Sequence, residues 1–394
     1  MTRRTNYSVV RIALVSDTYT PQVNGVTTVT ERIVRVLREC GHEVAVVAPR
    51  YPGHDPGAPV EGELRIPSLP FPPYPAIRLS LPPFGTVARF LDAFGPDLVH
   101  AVTEGPIGLA GRRYAVGRRL PLVTSFHTNF PQYARHYGAG LLEPMVWRWL
   151  RWFHGPARLT QTPGEAVREE LARRGIGEPI VWGRGVDTVH FHPVRRSAAW
   201  RRWLAGGDDT AIVLHVGRLA PEKNIDVLAE AWSAARERLG QRATFVLAGE
   251  GPETRRLLAR LPWVRHLGFL DRGRLADLYA SADICVLPSK TETCGLVALE
   301  AMASGLAVVA ADAGGFRESI VHGRTGVLVA PDDVTGFAVA IMSMVIAPGR
   351  RAELASAARQ ATIARDIVPE NQALLEQYAA AAGIAQPGAA PCAA

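Results

Sequence analysis

Two carboxylates, Glu292 and Glu300, bracket the apolar run in "ETCGLVALE". Leu296, Leu299, Met302 and Ala303 recur at helical spacing and Gly305 supplies a stop, so the run reads as the start of a helix. Glu292 then lies on the loop before that helix, and Glu300 about one turn inside it. Both can face the helix opening, where the free amides of Gly295, Leu296 and their neighbours attract negative charge or hydroxyl oxygens. Carboxylates placed there are good acceptors for paired sugar hydroxyls. A second set of candidates follows the strand "AIVLHV". Gly217 permits a tight turn, Arg218 leaves the top of the sheet, and Lys223 comes at the expected start of the next helix. Two cations beside a helix N-terminus suit a diphosphate. His127 lies just past the strand in "LPLVTSFH", and Asn24-Gly25 opens a helix that could present a backbone amide to an anion.

Taken singly, each of these residues also fits a structural role: a capping glutamate, a solvated basic turn, a core histidine. Other chemistries lack their signals. The chain has no G-x-G-x-x-G, no G-x-x-x-x-G-K-[ST] and no His/Cys/Asp cluster at metal-ligand spacing. No cofactor and no metal site is therefore expected. The net charge of +7 fits an anionic ligand, an anionic membrane surface or nucleic acid without choosing among them. Nucleic acid is disfavoured because the basic residues are scattered and no reader motif is present. The segment with Trp147, Arg148, Trp149, Arg151, Trp152, Phe153 and Arg158 leaves two readings open: a helix lying on an anionic membrane, or a partly buried helix with snorkelling arginine stems.

The elements that must position these residues follow a repeated βαβ order. "VVRIALV", a polar loop, the helical spacing of Val29, Ile33, Val36 and Leu37, a stop at Gly41 and "EVAVVAP" make the first unit. Residues 51–84 are Pro-rich and read as loops with one short strand. "PDLVHAV" and "LPLVTSFH" resume the strands, and "YARHYGAGLLEPMVWRWLRWFHG" reads as mostly helical. The pattern restarts with "TAIVLHVGRL", a helix over "EKNIDVLAEAWSAARERLG", and the strands "ATFVLAGEGP", "DICVLPS", "LAVVAAD" and "TGVLVAP". With 394 residues, 47% of them hydrophobic, the chain suits two doubly wound α/β domains joined near residues 190–205. Each candidate residue follows a parallel strand, where ligands of open sheets bind. Cys40, Cys285, Cys294 and Cys392 show no pairing pattern and read as reduced thiols of a cytoplasmic protein. No apolar run is long enough to span a bilayer, and the first apolar stretch reads as a strand, not a signal peptide. The Ala-rich tail reads as frayed.

Together, "PQVNGVT" at 21–27, "FHT" at 126–128, "WGRGVD" at 182–187, "VGRLAPEKN" at 216–224, "AGEGP" at 248–252 and "LPSKTETCGLVALEAMASGLAVVA" at 287–310 resemble the retaining family 4 glycosyltransferases of GT-B fold. The likeness runs over nearly the whole chain, and its first half is similar to the GDP-mannose-dependent α-mannosyltransferases and the sulfoquinovosyl-diacylglycerol synthases. It implies two facing Rossmann-like domains with an interdomain cleft: 1–195, an acceptor-side domain; 196–364, a nucleotide-sugar domain; and 365–394, a helix crossing back plus a tail. It also implies roles. The Gly25 amide, Arg218 and Lys223 would bind the donor diphosphate, and His127 would sit against the transferring sugar. Glu292, with the amides of Cys294, Gly295 and Leu296, would hold the sugar hydroxyls. Glu300 would hold the nucleotide ribose, and Phe269 and Leu270 would line the base pocket. Cys294 stands where most members carry Phe, Ala307 where most carry Pro, and Arg184 where many carry Asn.

The expected activity is transfer of a hexose, with mannose from GDP-mannose as the first choice, to a lipid or glycan hydroxyl. Retention follows from the resemblance alone, and no metal is required. The expected setting is cytoplasmic, with possible peripheral contact with the inner face of the membrane. The rivals are a UDP-sugar-dependent glycolipid synthase, glucosyl or sulfoquinovosyl, an epimerase or phosphorylase of the same fold, and a non-catalytic nucleotide-sugar-binding protein.

Overall fold

The computed structural model describes residues 9–22, 24–52, 62–71, 74–127, 143–182, 185–207 and 209–383. Expectations that fall on the basic N-terminus, residues 53–61, residues 128–142, Arg184 and the Ala-rich tail lie outside those residues. The chain folds as two compact units: Met1–Gly183 with Glu370–Ala394, and Arg184–Pro369.

In the first unit β1 (Arg11–Val15) leads through a polar loop to α1 (Gly25–Glu39). Asn24 starts this helix: its side chain accepts from the Thr27 amide at 2.9 Å, replacing a missing intrahelical partner. Val29, Ile33, Val36 and Leu37 form the buried face, and Gly41, at φ 84°, ends the turn. Then come β2 (Glu43–Pro49), β3 (Glu63–Ile66), β4 (Leu69–Phe71), β5 (Tyr74–Leu79), α2 (Phe84–Phe94), β6 (Leu98–Ala101), α3 (Pro106–Arg118) and β7 (Leu122–Ser125). The unit continues with α4 (Glu143–His154), β8 (Leu159–Thr162), α5 (Glu165–Arg173) and β9 (Pro179–Val181). The Pro-rich stretch thus holds three strands where one was expected. β3 joins the main sheet, while β4 and β5 pair with each other in a separate two-stranded ladder, where prolines are tolerated. The main sheet has the order β3-β2-β1-β6-β7-β8-β9 and every pairing is parallel.

The second unit holds α6 (Ala198–Ala205), β10 (Ala211–Val216), α7 (Ile225–Leu239), β11 (Ala243–Ala248), α8 (Thr254–Arg260), β12 (Arg265–His266) and α9 (Arg272–Ser281). It continues with β13 (Ile284–Leu287), α10 (Leu296–Ala303), β14 (Ala307–Ala311), α11 (Phe316–Ser319), β15 (Val327–Val329), α12 (Val334–Ile346) and α13 (Pro348–Ile363). Its sheet has the parallel order β12-β11-β10-β13-β14-β15. Both faces are covered, so the strands read as unbroken apolar runs. Val213 packs with Trp232, Phe245 and Ile341 on one side, and Ile212 and Leu214 pack with Tyr279, Leu299 and Met302 on the other.

The last helix, α14 (Ile367–Ala382), belongs to the first unit from Glu370 onward. Its backbone accepts from Trp182 Nε1 at Glu370 (2.8 Å) and from Arg158 Nη1 at Ala381 (2.6 Å). Tyr378 Oη lies 2.6 Å from His100 Nδ1 on β6, and His100 Nε2 lies 2.7 Å from Ser125 Oγ on β7. Cys40 is disulfide-bonded, so the expectation of four reduced thiols fails there, whereas Cys285 and Cys294 form no disulfide. Spacing in the sequence gave no sign of this bond, because a disulfide depends on where the fold brings two side chains. Among the described residues no helix is long and apolar enough to cross a membrane.

Arg201 on α6 fixes the two central strands of the second sheet against each other. It is buried and donates to Asp283 Oδ2 (2.6 Å), Ser281 O (3.1 Å) and Thr210 O (3.0 Å), and the Ile212 amide donates to the same Asp283 oxygen (2.8 Å). Arg201→Met removes the buried cation from that carboxylate, leaving it with Arg196 at 3.8 Å and the Ile212 amide, and is expected to lower unfolding stability by about 3 kcal/mol. Denaturant unfolding measures it, and a loss under about 1 kcal/mol would show that the pair carries no such weight.

Candidate functional site

β10 and β13 are adjacent (Val213↔Ile284, Leu214↔Cys285), yet the chain leaves them in opposite directions. After β10 it passes through α7 to β11 on one side; after β13 it passes through α10 to β14 on the other. The two loops part above the strand ends and leave a crevice, the usual ligand position in an open parallel sheet. Arg218 and Lys223 lie on the first loop, and Glu292, Cys294 and Gly295 on the second.

Backbone packing sets the first loop. The Gly217 amide donates to Ala248 O (3.1 Å), Leu219 N to Glu250 O (3.0 Å) and Glu253 N to Leu219 O (3.0 Å). The loop after β11 approaches so closely that a Cβ on Gly249 would stand 2.0 Å from Gly217 O, which only glycine permits. Lys223 does not open α7. It closes a short 3-10 turn, Pro221–Lys223, and Asn224 at φ 56° separates it from the helix. The Asn224 side chain donates to Asp332 Oδ1 (2.9 Å) and to Pro288 O (3.3 Å), tying the first loop to the base of the second.

Both cations are paired with carboxylates. Lys223 Nζ contacts Glu292 Oε1, bringing two predicted site residues together across the crevice. Arg218 Nη2 contacts Glu222 Oε1, whose side chain is only 2% exposed. Glu222 escaped the sequence reading, although its i,i+4 spacing from Arg218 was a usable signal. Its carbonyl also accepts from Ser289 Oγ and Thr291 Oγ1, each at 3.1 Å, which braces the loop carrying Glu292. On the far side the Gly315 amide donates to Glu292 O (2.8 Å). A Cβ on Gly314 would lie 2.2 Å from that same oxygen.

Gly295, at φ 72°, caps α10 and makes no side-chain capping hydrogen bond. Cys294 is half-buried. Glu300, inside the helix, accepts from Tyr279 Oη at 3.3 Å, and burial pushes its carboxyl up to about 7. Tyr279 itself is driven well above the usual phenol range by burial and by the Glu300 charge. Phe269 is 60% exposed, whereas Leu270 is buried in the core with Tyr279. Of the two residues expected at the base pocket, therefore, only Phe269 offers a free surface.

His215, the one polar residue in "AIVLHV", also escaped the sequence reading. It lies on β10, and Lys223 and Glu292 are the charges that act on it. Burial lowers its imidazole to about 4. Nδ1 lies 2.8 Å from Val286 O, which can only accept, so Nδ1 carries the proton and the buried Nε2 is a bare acceptor.

In the first unit, Gly25 is exposed at the head of α1, with open space where a Cβ would be. His127 follows β7. Burial lowers its imidazole to about 4, and its buried Nε2 has no protein partner. On α4, Trp147, Leu150 and Phe153 are core residues, which removes Trp147 and Phe153 from any membrane-facing set. Met145, Trp149 and Trp152 are exposed beside the exposed Arg148 and Arg151, and Arg112 stacks 3.7 Å from the Trp152 ring centre.

Residues 23–190 match the Glycosyltransferase Family 4 domain, and residues 210–346 match the Glycosyl transferases group 1 domain. The chain is 37% identical over 381 residues to the GDP-mannose-dependent alpha-mannosyltransferase of Mycolicibacterium smegmatis, covering 95% of this chain and 98% of that one. It is 34% identical over 344 residues to a sulfoquinovosyl transferase of Arabidopsis thaliana, covering 84% of this chain and 66% of that one. In fold it resembles Anabaena HepE, crystallised with UDP and glucose, at TM-score 0.73 and 22% identity over 94% of this chain and 99% of that one. It also resembles the sucrose-phosphate synthase of Thermosynechococcus elongatus, at TM-score 0.75 and 21% identity over 94% and 98% of the two chains. The two parallel-sheet domains have the GT-B fold, and the chain belongs to the family 4 glycosyltransferases.

Proposed function

We propose that this glycosyltransferase moves mannose from GDP-mannose to a hydroxyl of a lipid or glycan acceptor, with retention of configuration and without a metal. The observation that carries the reading is the cluster of Arg218, Lys223 and Glu292 at the crevice between β10 and β13, in a chain similar end to end to a GDP-mannose-dependent enzyme. Arg218 and Lys223 hold the donor diphosphate and meet the negative charge that develops on it. The Gly25 amide contributes to the same diphosphate. Glu292 and the amides of Cys294, Gly295 and Leu296 orient the sugar, and Glu300 accepts from the ribose hydroxyls. Phe269 lies against the base. In a front-face displacement the bond from the anomeric carbon to phosphate breaks and the bond to the acceptor oxygen forms. The acceptor proton passes to the departing phosphate oxygen. His127, neutral at pH 7, accepts a hydrogen bond from the sugar. The sulfoquinovosyl transferase relative favours a second reading, a glycolipid synthase with another donor, and a panel of GDP- and UDP-sugars scored by nucleotide release separates the two.

With GDP-mannose as the active donor, Arg218→Ala and Lys223→Ala are each expected to lower turnover roughly 10²–10³-fold, as loss of a preorganised charge-stabilising group does. Near-normal GDP release by both variants would refute the clamp.

Glu300 gives a pH signature. Its carboxyl titrates at about 7 in the empty site, so it is ionised above that pH and neutral below it. The ionised form offers both oxygens as acceptors to the ribose hydroxyls, whereas the neutral form turns one of them into a donor, and the diphosphate of a sugar nucleotide does not titrate in this range. GDP-mannose affinity should therefore weaken as pH falls, approaching roughly tenfold per unit below 7. Glu300→Gln should flatten the profile. A wild-type affinity constant from pH 5.5 to 8.5 would refute the assignment.

For a lipid acceptor, Met145, Trp149 and Trp152 with Arg148 and Arg151 form a face suited to an anionic bilayer. Co-sedimentation should favour anionic over neutral vesicles, and Arg148→Ala should weaken binding by about 1 kcal/mol. Equal, negligible binding to both vesicle types would point to a soluble acceptor.

A further inference from the structure

We infer that Lys223 is exchanged between two anions as the donor comes and goes: Glu292 holds it in the empty site, the diphosphate takes it on binding, and the donor sugar's hydroxyls then replace it at Glu292. Glu292 thereby makes the site discriminate between the loaded donor and the spent nucleoside diphosphate. The inference rests on the reading of Lys223 as a phosphate ligand and Glu292 as a sugar ligand.

The two ion pairs of the crevice are built differently. Arg218 is held by Glu222, whose carboxylate is 2% exposed and four residues away on the same loop; no ligand reaches it. Lys223 is held by Glu292 from the opposite loop, with both side chains partly open at 24% and 17% exposure. The first pair is a fixed support, and the second can be entered from the crevice. A diphosphate with two formal negative charges competes directly with one carboxylate for the Lys223 ammonium.

Once Lys223 turns to phosphate, several donors of the surrounding loops are already committed. Ser289 Oγ and Thr291 Oγ1 donate to Glu222 O. Lys290 Nζ is paired with Asp332 at 2.7 Å. The Gly315 amide is held by the main-chain carbonyl of Glu292, not by its carboxylate. His215 spends its single ring proton on Val286 O and presents a lone pair, which cannot satisfy a carboxylate. A nucleoside diphosphate alone therefore takes a cation from Glu292 and brings no hydroxyl donor to it, and a partly buried carboxylate that loses its ion-pair partner is destabilised. A sugar nucleotide brings hydroxyl donors to that same carboxylate. The consequence is a preference for donor over product, built partly from a penalty against the product.

Calorimetric titration of GDP and GDP-mannose into wild type, Glu292→Gln and Glu292→Ala tests this, with UDP and UDP-glucose run in parallel and thermal melts confirming that each variant is folded. Wild type should bind the sugar nucleotide more tightly than the free diphosphate. Both variants should bind GDP more tightly than wild type does, by up to about fivefold, the worth of a released ion pair. They should also lose the preference for GDP-mannose. GDP affinity unchanged or weakened in the two folded variants would overturn the exchange while leaving the donor assignment intact. Failure of wild type to bind any of the four nucleotides would instead overturn the donor reading, and the exchange with it.

Discussion

The parallel pairing of β10 with β13 is the constraint on which the second unit depends. Two strands far apart in sequence lie side by side, and the chain departs from them to opposite halves of the sheet. The loops above their ends cannot close over one another, so a crevice follows from the topology. Arg201 and Asp283 hold the strand starts from below, and the backbone contacts of Gly217, Leu219 and Gly249 hold the loop ends from above. Side chains placed between these fixed ends need little further ordering.

Within the crevice, charge is arranged in pairs. Each cation has a carboxylate, and Glu222 is far more buried than Glu292. Glu300 follows another logic. No cation reaches it at close range among the described residues. Burial raises its carboxyl toward neutrality, and the Tyr279 hydroxyl gives it one donor.

In the first unit the last helix is part of the structure that carries His127. Tyr378 on α14 reaches His100 on β6, His100 reaches Ser125 on β7, and His127 follows that strand two residues later. Gln377 extends the contact to Gln161 on β8 at 2.9 Å. Buried polar groups satisfied in this way fix strand ends more tightly than apolar packing alone.

Much of this was legible in the sequence. The helical spacing of Val29 through Leu37, the apolar strands and the stops at Gly41 and Gly305 set the local elements, because short-range sterics and periodic burial act on neighbouring residues. The E-x7-E run and "GRLAPEKN" pointed to the residues that the fold places on the two loops of the crevice for the same reason: their spacing is local. The pairing of Lys223 with Glu292, the burial of Leu270 and Trp147, the bare Nε2 of His215, the raised carboxyl of Glu300 and the bond at Cys40 were not legible. Each depends on groups brought together from distant parts of the chain. The sequence by itself determined which residues stand at strand ends. Only the tertiary structure decided which are buried, which are paired and which remain open to a ligand, because burial and ion pairing are properties of packed neighbours and not of order along the chain.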